Sequence, residues 1–382
     1  MIAEPLPEPD TESLAVSNAL VERIRDEIDA GGGWLSFERF MQLALHEPGL
    51  GYYSAGAVKF GPGGDFTTAP ELSGWLAAAL APLIRNVLEE IGSNRILELG
   101  AGSGRLAGQL HSELAADGAA RFDYSILETS ADLRERQRQH LAPWAGSTRW
   151  LDRMPVDGFD GIVIANEVVD AIPVARFEKT RDSAAPLGVA WQDERLVIAA
   201  GPPDEVLSEA VARIEHDLGA ALPEGYRSEV CLMLEPWLEE ILGAIGAGGL
   251  LLIDYGMPRR DYYRLERTDG TLVCHFRHRS HDDPLVWPGL QDITAWVDFT
   301  AVANAARELG FQVAGYTTQA QFLVETMARD PVLAARAIAP EDAGAVRRLV
   351  LPGEMGERFK LIWLTTESVS TGLPGRDFRN WL

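Results

Sequence analysis

"ILELGAGSGRL", residues 96–106, decides how the rest of the chain is read, because it can be parsed as two different nucleotide-binding loops. Counted from Gly102 it runs Gly-x-Gly-x-x-Ala, a dinucleotide fingerprint; counted from Gly100 it runs Gly-x-Gly-x-Gly with Glu98 just ahead. In both parses an apolar strand leads into a glycine turn and then a helix from Arg105. That order brings backbone N–H groups and a positive helix end close to a ligand.

Charge separates the parses. A dinucleotide would set a dianionic pyrophosphate against the loop, where the Glu98 carboxylate is unfavourable. A nucleotide with an ammonium, a sulfonium and no phosphate gains from the same carboxylate. The Gly100 parse is therefore preferred, with Gly100, Gly102 and Gly104 allowing close approach and S-adenosyl-L-methionine as the expected cofactor. Arg105 could neutralise a phosphate, which keeps an NAD(P)-dependent oxidoreductase as an alternative. Glu128 ends the next strand, "FDYSILE", where doubly wound folds bind ribose hydroxyls with a carboxylate.

Working outward, residues 75–173 and 231–366 alternate helices with short apolar strands, the pattern of an α/β core with a mostly parallel sheet. Strands are expected at "RILELG", "FDYSILE", "TRWL", "GFDGIVIANE", "GLLLIDYG", "FQVAGYT" and "RFKLIWLT". Residues 174–230 break the rhythm with β-like pieces and one helix, and are read as an insertion; 256–293 form an irregular stretch on the substrate side. Before the core, residues 13–74 hold two amphipathic helices, with Leu20, Ile24 and Ile28 on one face of the first, and then a loop rich in Gly and aromatics. Residues 1–12 are expected to be a disordered lead-in and 367–382 a C-terminal tail.

The chain of 382 residues has a formal net charge of −23, which argues against binding a phosphate backbone and favours a basic protein partner. Its 2 cysteines, Cys231 and Cys274, form no disulfide framework or zinc knuckle. No apolar run approaches the roughly 20 residues of a membrane helix. The acidic, proline-rich opening is the opposite of a signal or transit peptide, so a cytoplasmic location is expected. A homodimer is compatible with the sequence, although no face declares itself.

"LELGAGSG", "ILETS" and "ANEVVDAIPV" resemble a class I methyltransferase core. "GYYSAGAVKFGPGGDFTTAPELS", "FRHRSHDDPLVWPGLQDITAWVDF" and "MGERFK" resemble the MidA-type family, the complex I assembly methyltransferases of mitochondria and their bacterial relatives, over roughly residues 35–365. The resemblance implies a Rossmann-like, mostly parallel seven-stranded sheet with an N-terminal helical extension. It also implies methyl transfer to a protein, with arginine as the acceptor regarded as typical of the mitochondrial members and a respiratory-complex-type or other protein as the partner. A non-catalytic assembly chaperone on the same fold is the other alternative. In the glycine-rich loop the resemblance points to Asp65, Thr67, Thr68 and Glu71 as contributors to a closed cofactor site, with Gly61, Gly63 and Gly64 as hinges.

Methyl transfer is a direct displacement that needs alignment and no metal. An arginine acceptor stays protonated at ordinary pH and must be gripped and deprotonated, which calls for carboxylates. "ANEVVDAIP" supplies Asn166, Glu167 and Asp170 at the carboxyl end of the fourth core strand. Glu167 is the first choice for the guanidinium clamp and Asp170 the second, unless it caps a following helix; Asn166 leaves an amide acceptor possible. His275, His278 and His281 share no helical face and are not read as metal ligands. His278 and Arg279 are instead expected to line the substrate cleft, braced by Gln291, Asp292 and Thr294, with Asp254 and Tyr255 as further cleft residues.

Overall fold

The structure, a computed structural model, describes residues 6–54, 68–115, 122–156, 158–337, 339 and 343–382. The chain folds as two units. One comprises Thr67–Val169, Glu235–Pro258 and Val297–Leu382; the other comprises Met1–Phe66, Asp170–Leu234 and Arg259–Trp296.

The first unit is built on seven main strands: β1 (Arg95–Leu99), β2 (Asp123–Leu127), β3 (Thr148–Leu151), β4 (Phe159–Asn166), β5 (Ile245–Met257), β6 (Gln312–Thr318) and β7 (Phe359–Thr365). They lie in the order β3-β2-β1-β4-β5-β7-β6. All neighbours from β3 to β5 are parallel, and β7 runs antiparallel to both β5 and β6. A two-residue strand, Val297–Asp298, extends the sheet beside the end of β5. All seven expected strands are present, and the short Val297–Asp298 strand, absent from the sequence reading, makes the sheet eight-stranded.

The central strands are apolar on both faces because helices cover both. Ile162 to Ala165 of β4 and Leu250 to Ile253 of β5 are at most 1% exposed. Helix α1 (Trp75–Glu90) is almost wholly buried from Trp75 to Ile84, and it packs with α2 (Arg105–Ala115) on one face of the sheet. The strand order reverses between β1 and β4, and at such a switch point the loops beyond the strand ends part to leave a crevice. The C-terminal residues lie along the β6 side of this sheet, where Phe378 N–H donates to Tyr316 O (2.7 Å) and Thr317 Oγ1 donates to Arg376 O (2.8 Å).

The second unit joins three stretches that the sequence presents separately. Strands Leu35–Ser36, Ala175–Lys179, Ala184–Gln192, Arg195–Ala200 and Arg227–Val230 make an antiparallel sheet, and Val273–Phe276, Arg279–His281 and Asp292–Thr294 make a second, smaller one. The helices Thr11–Ala30 and Phe37–His46 supply Leu20, Ile24, Ile28, Phe37, Phe40 and Met41 to a core shared with Val189, Cys274 and Ile293. The amphipathic face read from the sequence is thus a buried seam. The first helix starts at Thr11, capped by Asp10, whose carboxylate accepts from Ser13 N–H (2.8 Å) and pairs with Arg277 (3.2 Å). Residues 6–12 are therefore ordered, and only 1–5 of that lead-in lie outside the described residues. Among the described residues, no helix is long and apolar enough to cross a membrane.

Candidate functional site

The loop after β1 is shaped by its glycines. Gly100, Gly102 and Gly104 have φ of 58°, 55° and 81°, a region that costs side-chain-bearing residues about 1–2 kcal/mol. A Cβ on Gly100 would lie 3.2 Å from Val168 Cγ2, and one on Gly104 would lie 3.4 Å from Gln137 Cγ. The Gly100 N–H donates to Leu127 O (2.9 Å), tying the loop to the end of β2, and helix α2 starts at Arg105.

Glu71, in the short helix Ala69–Leu72, grips this loop from the segment before the core. Its side chain is 6% exposed; Oε2 pairs with Arg105 Nε at 2.7 Å, and Oε1 accepts from the Ser103 hydroxyl. Gln109 Nε2 adds a bond to Pro70 O (2.9 Å). Arg105, the one feature of the loop that favoured a phosphate, is thus already paired with a carboxylate. Thr68 is the N-terminal flanking residue of the same helix and makes no side-chain cap there. Asp65 and Thr67 lie outside the described residues. Glu71→Gln keeps an acceptor for Ser103 but removes the ion pair, so cofactor affinity is expected to drop by about fivefold. Calorimetric titration checks this, and an unchanged affinity would make the clamp incidental.

Two carboxyls flank the loop. Glu128 is 5% exposed; Oε1 accepts from Ser130 N–H (3.0 Å) and Oε2 from Gln137 Nε2 (2.9 Å), which leaves further lone pairs for a diol. Burial raises its pKa against those hydrogen bonds. Gln137, absent from the sequence reading, is 0% exposed and bonds Gly102 O (2.9 Å), Glu128 and Trp150 Nε1 (2.9 Å) at once. It fixes loop and acid in one register. Its one sequence signal is an amide, one of two glutamines, in the charged helix "ADLRERQRQH".

Glu98 does not stand open at the strand mouth as expected. It is 2% exposed and accepts from Tyr124 Oη at 2.8 Å. Burial pushes its pKa up to about 7, the Tyr124 bond pulls it back, and the Glu128 charge raises it further. A carboxyl with a raised folded-state pKa stabilises the fold fully below its unfolded pKa near 4.5, and that contribution is lost as pH rises through about 7. Glu98→Gln, still able to accept from Tyr124, is expected to make the cofactor-free protein more stable above pH 7 by about 3 kcal/mol at most, with no gain at pH 4. Urea denaturation across pH 4–8 checks this; a parallel loss at both ends would contradict it.

Beyond β4 the chain turns sharply. Glu167 has φ 56°, a left-handed conformation that is uncommon for a side-chain-bearing residue, and its N–H donates to Ile253 O (2.8 Å). Asp254, 0% exposed, accepts from Val168 N–H (3.2 Å) and Val169 N–H (2.9 Å) through Oδ2 and from Tyr255 N–H (2.8 Å) through Oδ1. Asp254, expected to line a cleft, is thus the brace of this turn. Asn166 Nδ2 donates to Glu167 Oε1 (3.2 Å), while Asn166 Oδ1 is buried with no hydrogen-bond partner among the described residues. Left-handed backbone strain at side-chain-bearing residues recurs at functional sites in proteins. Tyr255 packs its ring 3.9 Å from that of Phe359 and belongs to the periphery of the core.

The remaining predicted residues belong to the other unit. Asp170 is 6% exposed in an irregular turn, and no helix follows for it to cap; its backbone carbonyl accepts from Ala295 N–H (2.9 Å). Asp292, 2% exposed, accepts from Tyr53 Oη (2.9 Å), and burial together with the Asp292 and Asp170 charges holds the Tyr53 phenol well above its ordinary pKa. His46 stacks on Tyr53 with ring centroids 5.5 Å apart, its pKa lowered by burial. The sequence singled out neither His46 nor Tyr53. His278 is exposed at the tip of a hairpin, in a two-residue turn with Arg277 (φ 46° and 62°), the geometry that suits a tight antiparallel turn. Among the described residues, no three His, Cys, Asp or Glu side chains are grouped to hold a metal ion.

The donor set around the glycine loop fits a cationic, phosphate-free nucleotide: two carboxyls flank it, and its arginine is paired. The comparisons agree. A sequence profile of S-adenosyl-L-methionine-dependent methyltransferases matches residues 76–317. The Drosophila melanogaster protein arginine methyltransferase NDUFAF7 homolog, mitochondrial, is 29% identical, with 94% of this chain and 88% of that protein covered. The Danio rerio protein arginine methyltransferase NDUFAF7, mitochondrial, is 26% identical, with 91% and 87% covered. A Burkholderia thailandensis protein crystallised with S-adenosyl-homocysteine superposes with a TM-score of 0.88 at 40% identity, covering 97% of this chain and 99% of that one. The profile runs from α1 into β6 and so takes in the glycine loop, both flanking carboxyls and the turn after β4: the chain belongs to the MidA-type family of S-adenosyl-L-methionine-dependent methyltransferases.

Proposed function

We propose that this methyltransferase acts on a protein and that the acceptor is an arginine side chain. The observation that carries the reading is Glu167, a carboxylate presented at the end of β4 in a left-handed turn, oriented by Asn166 and braced by Asp254. S-adenosyl-L-methionine, when bound, supplies a methyl group on a cationic sulfur. Glu167 would pair with the guanidinium, orient one nitrogen and take up the proton released as the new N–C bond forms and the C–S bond breaks. The buried Asn166 Oδ1 offers a further acceptor for a guanidinium N–H. The names of the mitochondrial relatives, protein arginine methyltransferases, support the same acceptor. A partner of the respiratory-complex type is the corresponding proposal for the substrate, and the net charge of −23 suits a basic segment on it.

The test is incubation of the protein with methyl-labelled S-adenosyl-L-methionine and cell extract, followed by mass-spectrometric mapping. Label on protein arginine is the expected result. Label on a small metabolite or on nucleic acid would overturn the reading.

A further inference from the structure

The unit that contains the antiparallel sheets holds a cavity of about 400 Å³, lined by segments 34–38, 175–176, 186–187 and 202–207 together with Leu232. This volume falls within the range of about 300–1,000 Å³ common to ligand pockets. None of its lining residues belongs to the glycine loop or to the turn after β4.

The walls combine three kinds of chemistry. Trp34 is fixed in place: its Nε1–H donates to Ala199 O (3.0 Å), and a Cβ on Gly188 or Gly201 would come within 2.5 or 2.2 Å of the indole, so only glycine there admits the ring. Glu38, Asp204 and Glu205 add carboxylates, and burial followed by the Asp204 charge raises the Glu38 pKa, a repulsion that a cation would relieve. Arg176 is 6% exposed, lies over Phe37 (5.4 Å) and pairs with Asp269 (2.9 Å) through Nη2, yet its buried Nε–H has no acceptor among the described residues.

Carboxylates and an aromatic face suit a cation, and an unsatisfied buried N–H suits a carbonyl oxygen. A basic residue within a peptide brings both groups. We propose that this cavity is a docking site, separate from the methyl-transfer site, for an arginine- or lysine-containing segment of the protein partner. The proposal rests on the protein-acceptor reading in taking that partner to be the methylated protein.

The probe is a fluorescently labelled, capped decapeptide of alternating arginine and glycine, titrated by anisotropy into the full-length protein, with the glutamate–glycine counterpart as control. The basic peptide is expected to bind and the acidic one to fail. The double variant Glu38→Gln/Asp204→Asn should weaken the basic peptide at least tenfold and leave affinity for S-adenosyl-L-methionine unchanged. Asparagine still caps the helix Glu205–Leu218, as Asp204 does now through Leu207 N–H (3.0 Å), so the fold is retained. Equal binding of the basic peptide to wild type and variant, equal binding of the acidic peptide, or no binding of either would overturn the proposal. Methyl label found on a metabolite while variant-sensitive peptide binding persists would overturn the acceptor reading and leave the cavity's role standing.

Discussion

Glu167→Gln is expected to lower the turnover number by roughly 10³-fold, within the range of about 10²–10⁴ attributed to a positioned general base, while affinity for S-adenosyl-L-methionine stays unchanged. The substitution preserves shape and still offers an oxygen to Asn166 Nδ2, so the turn after β4 has no reason to rearrange. What disappears is the negative charge that pairs with a guanidinium and accepts its proton. Glu167→Gly separates the charge from the turn. Glycine is at ease at φ 56°, so this variant is expected to gain up to about 1 kcal/mol of stability while losing activity to the same degree. Single-turnover kinetics on the mapped protein substrate, with thermal melts alongside, give both numbers. Full activity in either variant would remove Glu167 from the acceptor clamp.

Gly100→Val should abolish useful cofactor binding, raising the dissociation constant by at least about 100-fold, or about 2.8 kcal/mol. Two effects add. A β-branched residue is strongly disfavoured at φ 58°, and its Cβ would press on Val168, itself held by Asp254. The loop must either move or hold the side chain where a ligand would approach the backbone. Because Gly100 N–H also ties the loop to the end of β2, a displaced loop would lose its register with Glu128. Calorimetry measures the affinity, and circular dichroism verifies that the sheet persists. Near-normal affinity in a folded variant would separate the glycine loop from cofactor binding.

The sheet was legible because its strands are continuous apolar runs between glycine or polar breaks, and local pattern is enough to find such strands. The cofactor loop was legible for a similar reason: three alternate glycines followed by a helix are a local signal. The partners of that loop were not. Gln137 sits among arginines and glutamates, and only its tertiary position shows that it is fully buried. Asp254 ends a strand, as many cleft residues do, and nothing in "LLIDYG" says that its carboxylate turns back to hold two backbone N–H groups of the neighbouring connection.

The second unit was the least legible. Its sheet depends on pairs such as Leu35 with Val189, and its core joins Ile24 to Cys274, contacts between residues far apart in the chain. Each contributing piece reads alone as an extension, an insertion or an irregular stretch. The Tyr53–Asp292 bond that joins two of them is likewise invisible to any window along the sequence.

That interleaved construction constrains how the protein can be made. During synthesis the helix Phe37–His46 emerges with Phe37, Phe40, Met41, Leu43 and Leu45 exposed, although all five are 0% exposed in the finished fold. The sheet that covers them awaits residues 175–230, and the strand that carries Ile293 comes later still. The methyl-transfer unit is no quicker, since β7 is its penultimate piece and inserts between β5 and β6. Neither unit can close before most of the other has been translated. The nascent chain therefore carries a long-lived apolar surface of the kind that invites aggregation or chaperone capture; truncation before the strand that carries Ile293 is expected to leave both units unfinished, and truncation between there and β7 the methyl-transfer unit.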